Sequence, residues 1–239
     1  MNKSFKVIGI ISSSKINGNT STLVRKALEG AKSEGASVEE IFLPKYKLGF
    51  CNGCLRCSID GKCNLDDNFE EIRKLIYEAD GIILGSPTYA MDYNAIMKNL
   101  FERLGPYTLY ASMLGGKYGA GISTGYGNAS KKVAKRLTSV FKFSIFKRCY
   151  MSGSIGVKTI FDGVEKATSQ NPDGLEKAYN LGKRIANDIK FEKKYRLQNL
   201  LMRVALALYL RPLFRKMIIK NKDDKERATY ISLSERGLI

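Results

Sequence analysis

The chain has no histidine. That excludes an imidazole base or proton shuttle, Ser-His-Asp and Cys-His nucleophiles, and Cys/His zinc sites. Chemistry must come from a cofactor, thiolates, carboxylates, tyrosines or backbone amides. No apolar run approaches the ~18 residues needed to cross a bilayer. No secretory signal pattern precedes the first apolar segment, so a cytoplasmic location is expected. Acidic residues are scarce, 23 against 40 basic ones, for a formal net charge of +17. Such an excess suits nucleic acid, a membrane surface or anionic ligands. No helix-turn-helix, zinc-finger or RNA-recognition pattern goes with it, and no nucleic-acid partner is expected. The nucleotide fingerprints are missing too. After the first apolar segment there is neither a GxGxxG nor the Gly-Lys-Ser/Thr ending of a P-loop.

What stands there instead is a strand, a hydroxyl-rich loop and a helix, over residues 6–28. Val7, Ile8, Ile10 and Ile11 form the short apolar run of a strand covered on both faces. Leu23, Val24, Ala27 and Leu28 then follow at helical spacing. A helix start offers unpaired N–H groups and a partial positive charge. Ser12, Ser14, Asn19, Thr20 and Ser21 add hydroxyl and amide groups, which together suit a monophosphate. The plainer reading is a helix cap at Thr20 or Ser21.

Along the rest of the chain, strands alternate with helices to about residue 190. Further strands are expected at 37–43, 81–85, 117–123 and 149–157, with helices from 69, from about 94, over 130–143 and over 174–189. That alternation predicts a parallel sheet with helices on both faces. Ligands of open α/β sheets sit beyond the carboxyl ends of the strands. Besides 12–21, two loops at such ends stand out, 86–93 and 123–128. Their Gly, Pro, Tyr and Thr suit a flat ring. A phosphate plus a flat ring is a flavin mononucleotide.

On Gly-Ile-Ile-Ser-Ser-Ser with Gly-Asn-Thr at the first strand, Gly-Ser-Pro-Thr-Tyr at the third, and the helix from Asn94 to Leu104 with Lys98 and Arg103, the sequence resembles the NADPH-dependent FMN reductase family. The resemblance covers roughly residues 5–190. It implies a flavodoxin-like fold with five parallel strands in the order 2-1-3-4-5. It implies that Ser12, Ser14, Asn19, Thr20 and Ser21 hold the FMN phosphate. Pro87, Thr88, Tyr89, Ala90 and Met91 would line the isoalloxazine, and Thr124, Gly125 and Tyr126 its pyrimidine side. Tyr89, Asp92 and Tyr126 are candidates for tuning or proton delivery. Two departures are visible: Lys15 stands where many members carry Arg, and Ala90-Met91 where many carry Trp or Phe and then Gly.

Cys51, Cys54, Cys57 and Cys63 have the spacing C-x2-C-x2-C-x5-C. In a cytosolic protein such crowding argues for metal over disulfides. Three readings stand: a [4Fe–4S] cluster, free or redox-active thiols, and tetrathiolate zinc. The cluster reading is favoured, and the spacing looks like the compact motif of the iron–sulfur flavoproteins within the family. Lys45, Lys47, Arg56 and Lys62 flank the cysteines and can favour thiolates or dock an acidic ferredoxin, or form a solvated face. Cys149 reads as a buried small residue.

The organisation expected is a 1–190 FMN-binding domain with a cysteine-rich insertion at 50–64, and a basic helical extension over 191–239. In the extension, residues 195–220 read as a helix interrupted near Arg211-Pro212. Packing on the domain or on a partner subunit would bury Leu200, Leu201, Val204 and Leu208. The other reading is an interfacial helix on an anionic membrane. Packing is favoured, in line with the homodimer or higher homo-oligomer that the resemblance implies. The function expected is an FMN-dependent oxidoreductase fed by NAD(P)H or a ferredoxin-type donor. The alternatives are a non-catalytic electron carrier and a cluster-free two-electron reductase of quinone, azo, nitro or flavin acceptors.

Overall fold

The computed structural model describes residues 4–161 and 164–239; residues 1–3 and 162–163 of the expected 1–190 domain lie outside them. In chain order the strands are β1 (Lys6–Ile11), β2 (Ser37–Phe42), β3 (Gly81–Tyr89), β4 (Asp92–Tyr93), β5 (Tyr118–Tyr126), β6 (Tyr150–Phe161) and β7 (Val164–Glu165). Five of them form a parallel sheet in the order β2-β1-β3-β5-β6. This is the expected order once the two-residue strand β4, which pairs back on β3, takes a number.

Helices cover both faces. On one, α1 (Asn19–Ser33) and α6 (Pro172–Lys190) bury Val24, Ala27, Leu181 and Ile185. They cross backbone to backbone: a Cβ on Gly182 would lie 1.7 Å from the Ala27 carbonyl, and one on Gly30 2.0 Å from that of Tyr179. Between β2 and the helices of the sheet's other face, in chain order, comes the cysteine segment, with one short helix, α2 (Arg56–Asp60). On that second face, α3 (Phe69–Glu78), α4 (Ala95–Leu109) and α5 (Ala129–Leu137) bury Phe69, Ile72, Met97, Leu100 and Leu137.

Two strands run further than their apolar cores suggest. β3 continues through Pro87 and Thr88, and β5 through Thr124, Gly125 and Tyr126, all expected in loops. Pro87 is tolerated because of where its missing N–H points. The Gly85 carbonyl faces β1, where it accepts from the Ser12 amide at 2.9 Å. Pro87, two residues on, faces the same way, but β1 has ended at the Ile11–Gly85 pair.

The extension is a chain of helices: α7 (Leu200–Ala205), a π turn (Leu206–Leu210), α8 (Arg211–Lys220) and α9 (Arg227–Glu235). The interruption expected near Pro212 is that π turn, which absorbs the proline without breaking the helix. Leu206, Ile218 and Leu233 anchor the extension on Ile145 and Phe146. Leu201 and Leu208 stand clear of the domain, 87% and 65% exposed, while half-exposed Leu200 and Val204 line a groove with Phe141, Ile145 and Cys149. Among the described residues, no helix is long and apolar enough to cross a membrane.

Candidate functional site

The β1–α1 loop folds around one carbonyl. The Gly18 amide and the Ser21 hydroxyl both donate to Lys15 O, at 3.0 and 2.9 Å. Ser12 fastens this loop to the sheet: its hydroxyl donates to Gly85 O at 3.2 Å, and Asn94 Nδ2 donates to Ser12 O at 2.6 Å. The Asn19 side chain turns to another segment, accepting from the Thr168 amide at 2.7 Å and donating to Lys166 O at 3.2 Å. Ser14 is exposed. The α1 start has no side-chain cap and no acidic residue in its first turn. Its dipole therefore favours an anion in the loop. Thr20 Oγ1 lies 2.7 Å from Thr124 Oγ1, tying α1 to the end of β5. One hydroxyl of that pair donates to the other, which keeps its own proton for a ligand.

Beside this loop, Tyr89 and Asp92 pair across a two-residue hairpin turn. Its central residues, Ala90 and Met91, have φ of +46° and +66°. Such turns normally use Asn-Gly, and a left-handed residue with a side chain costs roughly 1–2 kcal/mol. Strain of this kind clusters at ligand clamps. Tyr89, Met91 and, from the end of β5, Tyr126 stand 56%, 64% and 65% exposed. Thus three large apolar side chains flank the loop where a flat ring would lie. Pro87 is buried beneath them, and Thr88 Oγ1 lies 2.9 Å from Ser123 Oγ. A Cβ on Gly125 would come within 2.7 Å of Thr88 Cβ, so only glycine lets the two strand ends close. Asp92 is tied down, with its carboxylate 3.0 Å from Arg136 and accepting from the Tyr93 amide at 2.8 Å.

Helix α4 leads away from this hairpin, capped by the Asn94 side chain on the Met97 amide. Nine residues on, about 14 Å at the helical rise, Arg103 reaches a small cavity lined by all four cysteines of the motif, with Leu55, Leu65, Pro106 and Tyr107. Cys51 and Cys54 are exposed, Cys57 and Cys63 half-buried, and all four are free thiols. Left-handed backbone at Gly53, Leu55 and Gly61 turns the chain between them. Among the described residues, no three such side chains converge as metal ligands. The thiols share a cavity without closing a cage.

The scaffold under them is closed. Arg103 donates to Asp67 at 2.7 and 3.0 Å and to Gly49 O at 2.8 Å, and its cation lies 4.3 Å from the centre of the Phe69 ring. The side chains of this pair are 1% and 4% exposed. Burial pushes the Asp67 carboxyl up, but Arg103 and the amides of Phe69 and Gly49 outweigh it and hold Asp67 below the usual carboxylate range. Burial pushes the Cys57 thiol up to about 11. Arg103 Nε is buried without a hydrogen-bond partner. A buried donor left unmade beside four thiols suits an acceptor such as a thiolate or sulfide, which is the chemistry of a cluster. From the other side, α9 braces the segment through Arg227, 3.5 Å from Asp60.

The profile of the NADPH-dependent FMN reductases matches residues 5–160. The chain belongs to that family. It is a flavin-dependent oxidoreductase of flavodoxin-like fold. It is 38% identical over 196 residues to an iron-sulfur flavoprotein of Methanocaldococcus jannaschii, covering 79% of this chain and 100% of that one. An iron-sulfur flavoprotein of Archaeoglobus fulgidus is 32% identical over 237 residues, covering 98% and 100%. The fold is shared with a flavone reductase (TM-score 0.64, 18% identity, 81% of this chain and 66% of that one). An NAD(P)H:quinone oxidoreductase from Methanothermobacter marburgensis shares it too (TM-score 0.56, 17% identity, 76% and 98%).

The structure gathers the candidate flavin residues around one strand-end site and the cysteines around one cavity. The Arg103–Asp67 pair was not legible as a site feature. Its partners are 36 residues apart, and Asp67 reads locally as a helix cap; it stands one residue before the cap position, accepting from the Phe69 amide at 3.0 Å.

Proposed function

We propose that this protein is an FMN-dependent electron-transfer oxidoreductase whose four motif cysteines hold a [4Fe–4S] cluster. When bound, FMN supplies two-electron chemistry and the cluster one-electron chemistry. The phosphate would rest in the β1–α1 loop on Ser14, Thr20 and the α1 start, with Ser12, Asn19 and Ser21, whose side chains are spent on the loop and its neighbours, holding it in shape. Pro87, Thr88, Tyr89, Ala90 and Met91 line the isoalloxazine, and Thr124, Gly125 and Tyr126 close its pyrimidine side. Cys51, Cys54, Cys57 and Cys63 ligate the cluster. Arg103 would offer its Nε–H to the cluster's sulfur and add positive charge beside it. NADH, NADPH or a ferredoxin-type protein is the donor. Exposed Lys45, Lys47 and Lys62 offer an acidic carrier a docking face beside exposed Cys51 and Cys54.

The observation that carries this reading is the orphaned Arg103 Nε on a cavity lined by four free thiols. The names of the relatives agree with it. An anaerobic reductive titration tests it. Uptake of three electrons per chain is expected, two by FMN and one by the cluster. The cluster-free reductase, favoured by the thiols' lack of convergence, takes up two. Saturable oxidation of NAD(P)H by the reconstituted protein then identifies a nicotinamide-driven enzyme, and exchange with ferredoxin alone an electron carrier.

A further inference from the structure

The helix through residues 200–220 has a side that the redox site does not use. Leu201 and Leu208, two helical turns apart, stand on its outer side, with Val204 between them at the edge of a groove against the domain. Leu213, five residues after Leu208 and across the π turn, is 62% exposed. Tyr209 adds a ring that is 73% exposed. The other side of the same helix holds the body through Leu206 and Ile218. The exposed stripe is therefore displayed on an anchored helix.

Charge identifies what covers it. Between Glu192 and Asp223 there is no acidic residue, and there are nine lysines and arginines. Arg196, Arg211, Arg215, Lys216 and Lys220 are exposed. Among the described residues, only Lys193 of the nine pairs with a carboxylate, Asp188 at 3.6 Å. A second copy docked through this stripe would oppose two sets of cations with no carboxylate between them. An anionic bilayer surface supplies both halves of the match: acyl chains for leucines and headgroup phosphates for arginines and lysines. The family resemblance favours subunit packing. Exposure and uncompensated charge turn the preference.

We infer that residues 200–220 form an interfacial helix that docks this flavoprotein on anionic lipid, with Leu201, Leu208 and Leu213 in the acyl boundary. The test is co-sedimentation of the full-length flavin-loaded protein with phosphatidylcholine vesicles, with and without phosphatidylglycerol. Binding is expected only with phosphatidylglycerol, and it should weaken as salt rises. The double variant Leu201→Asp/Leu208→Asp should lose about tenfold or more in vesicle binding. Arg215→Gln and Lys216→Gln should each lose about fivefold. Unchanged flavin absorbance reports that each variant is folded. Equal binding to both vesicle types overturns the inference. So does a stripe variant that changes only the mass in solution, from oligomer to monomer, since that makes the face an interface between copies.

Discussion

At its amino end α4 meets a hairpin closed by its own bonds: Asn94 caps the helix, holds Ser12 and faces Ser86. Nine residues further on, it meets the segment whose four thiols line one cavity. The hairpin end is closed, and its strained turn is held by the strands around it. The cysteine end has a closed floor, Arg103 on Asp67 over Phe69, and a roof made of the four-cysteine segment. A site that completes itself tolerates little change in its strand ends. A site that a ligand completes loses the ligand when one thiol goes, yet the protein beneath it stays folded.

The largest expected effect separates roof from floor. Cys51→Ser, at an exposed thiol, should abolish iron binding while changing the stability of the metal-free protein by no more than about 0.5 kcal/mol. Iron assay and urea unfolding on one sample check both. Arg103→Leu should do the reverse of a roof mutation. It strands Asp67 in a buried place, at about 3–5 kcal/mol of stability, and denaturant unfolding measures it. A loss below about 1 kcal/mol would make the pair a surface-type contact and dissolve the distinction.

At the flavin end the effect is smaller and of opposite sign. Met91→Gly relieves a left-handed residue and should stabilise the flavin-free protein by up to about 1 kcal/mol. It should weaken FMN affinity, because the exposed side chain is lost from the rim; thermal melts and a flavin titration read the two. The smallest effect is in pH. Asp67 titrates below its unfolded value of about 3.9. Its contribution is therefore full above that value and is lost as pH falls through the depressed folded value. The stability gap between the wild type and Asp67→Asn should close below about pH 4.

Much of this was legible in the sequence where the signal is local. The run from Val7 to Ile11 and the stripe from Phe69 to Ile76 became the strand and helix their periods describe. The ends of β3 and β5 were not, because Pro87 and Gly125 signal turns locally while pairing with a neighbouring strand decides their state. The apolar spacing of Leu201, Val204 and Leu208 describes a face but not what it meets. The cysteine spacing names a chemistry, yet the Arg103 donor beneath it comes from an element that sequence order keeps remote.

The most direct test of the central claim is metal analysis of anaerobically purified protein, with iron, acid-labile sulfide and zinc measured beside the visible spectrum. Flavin bands over a broad sulfur-to-iron absorption are expected, with about four irons and about four sulfides per chain. Flavin bands with no iron, or with one zinc per chain, would contradict that claim.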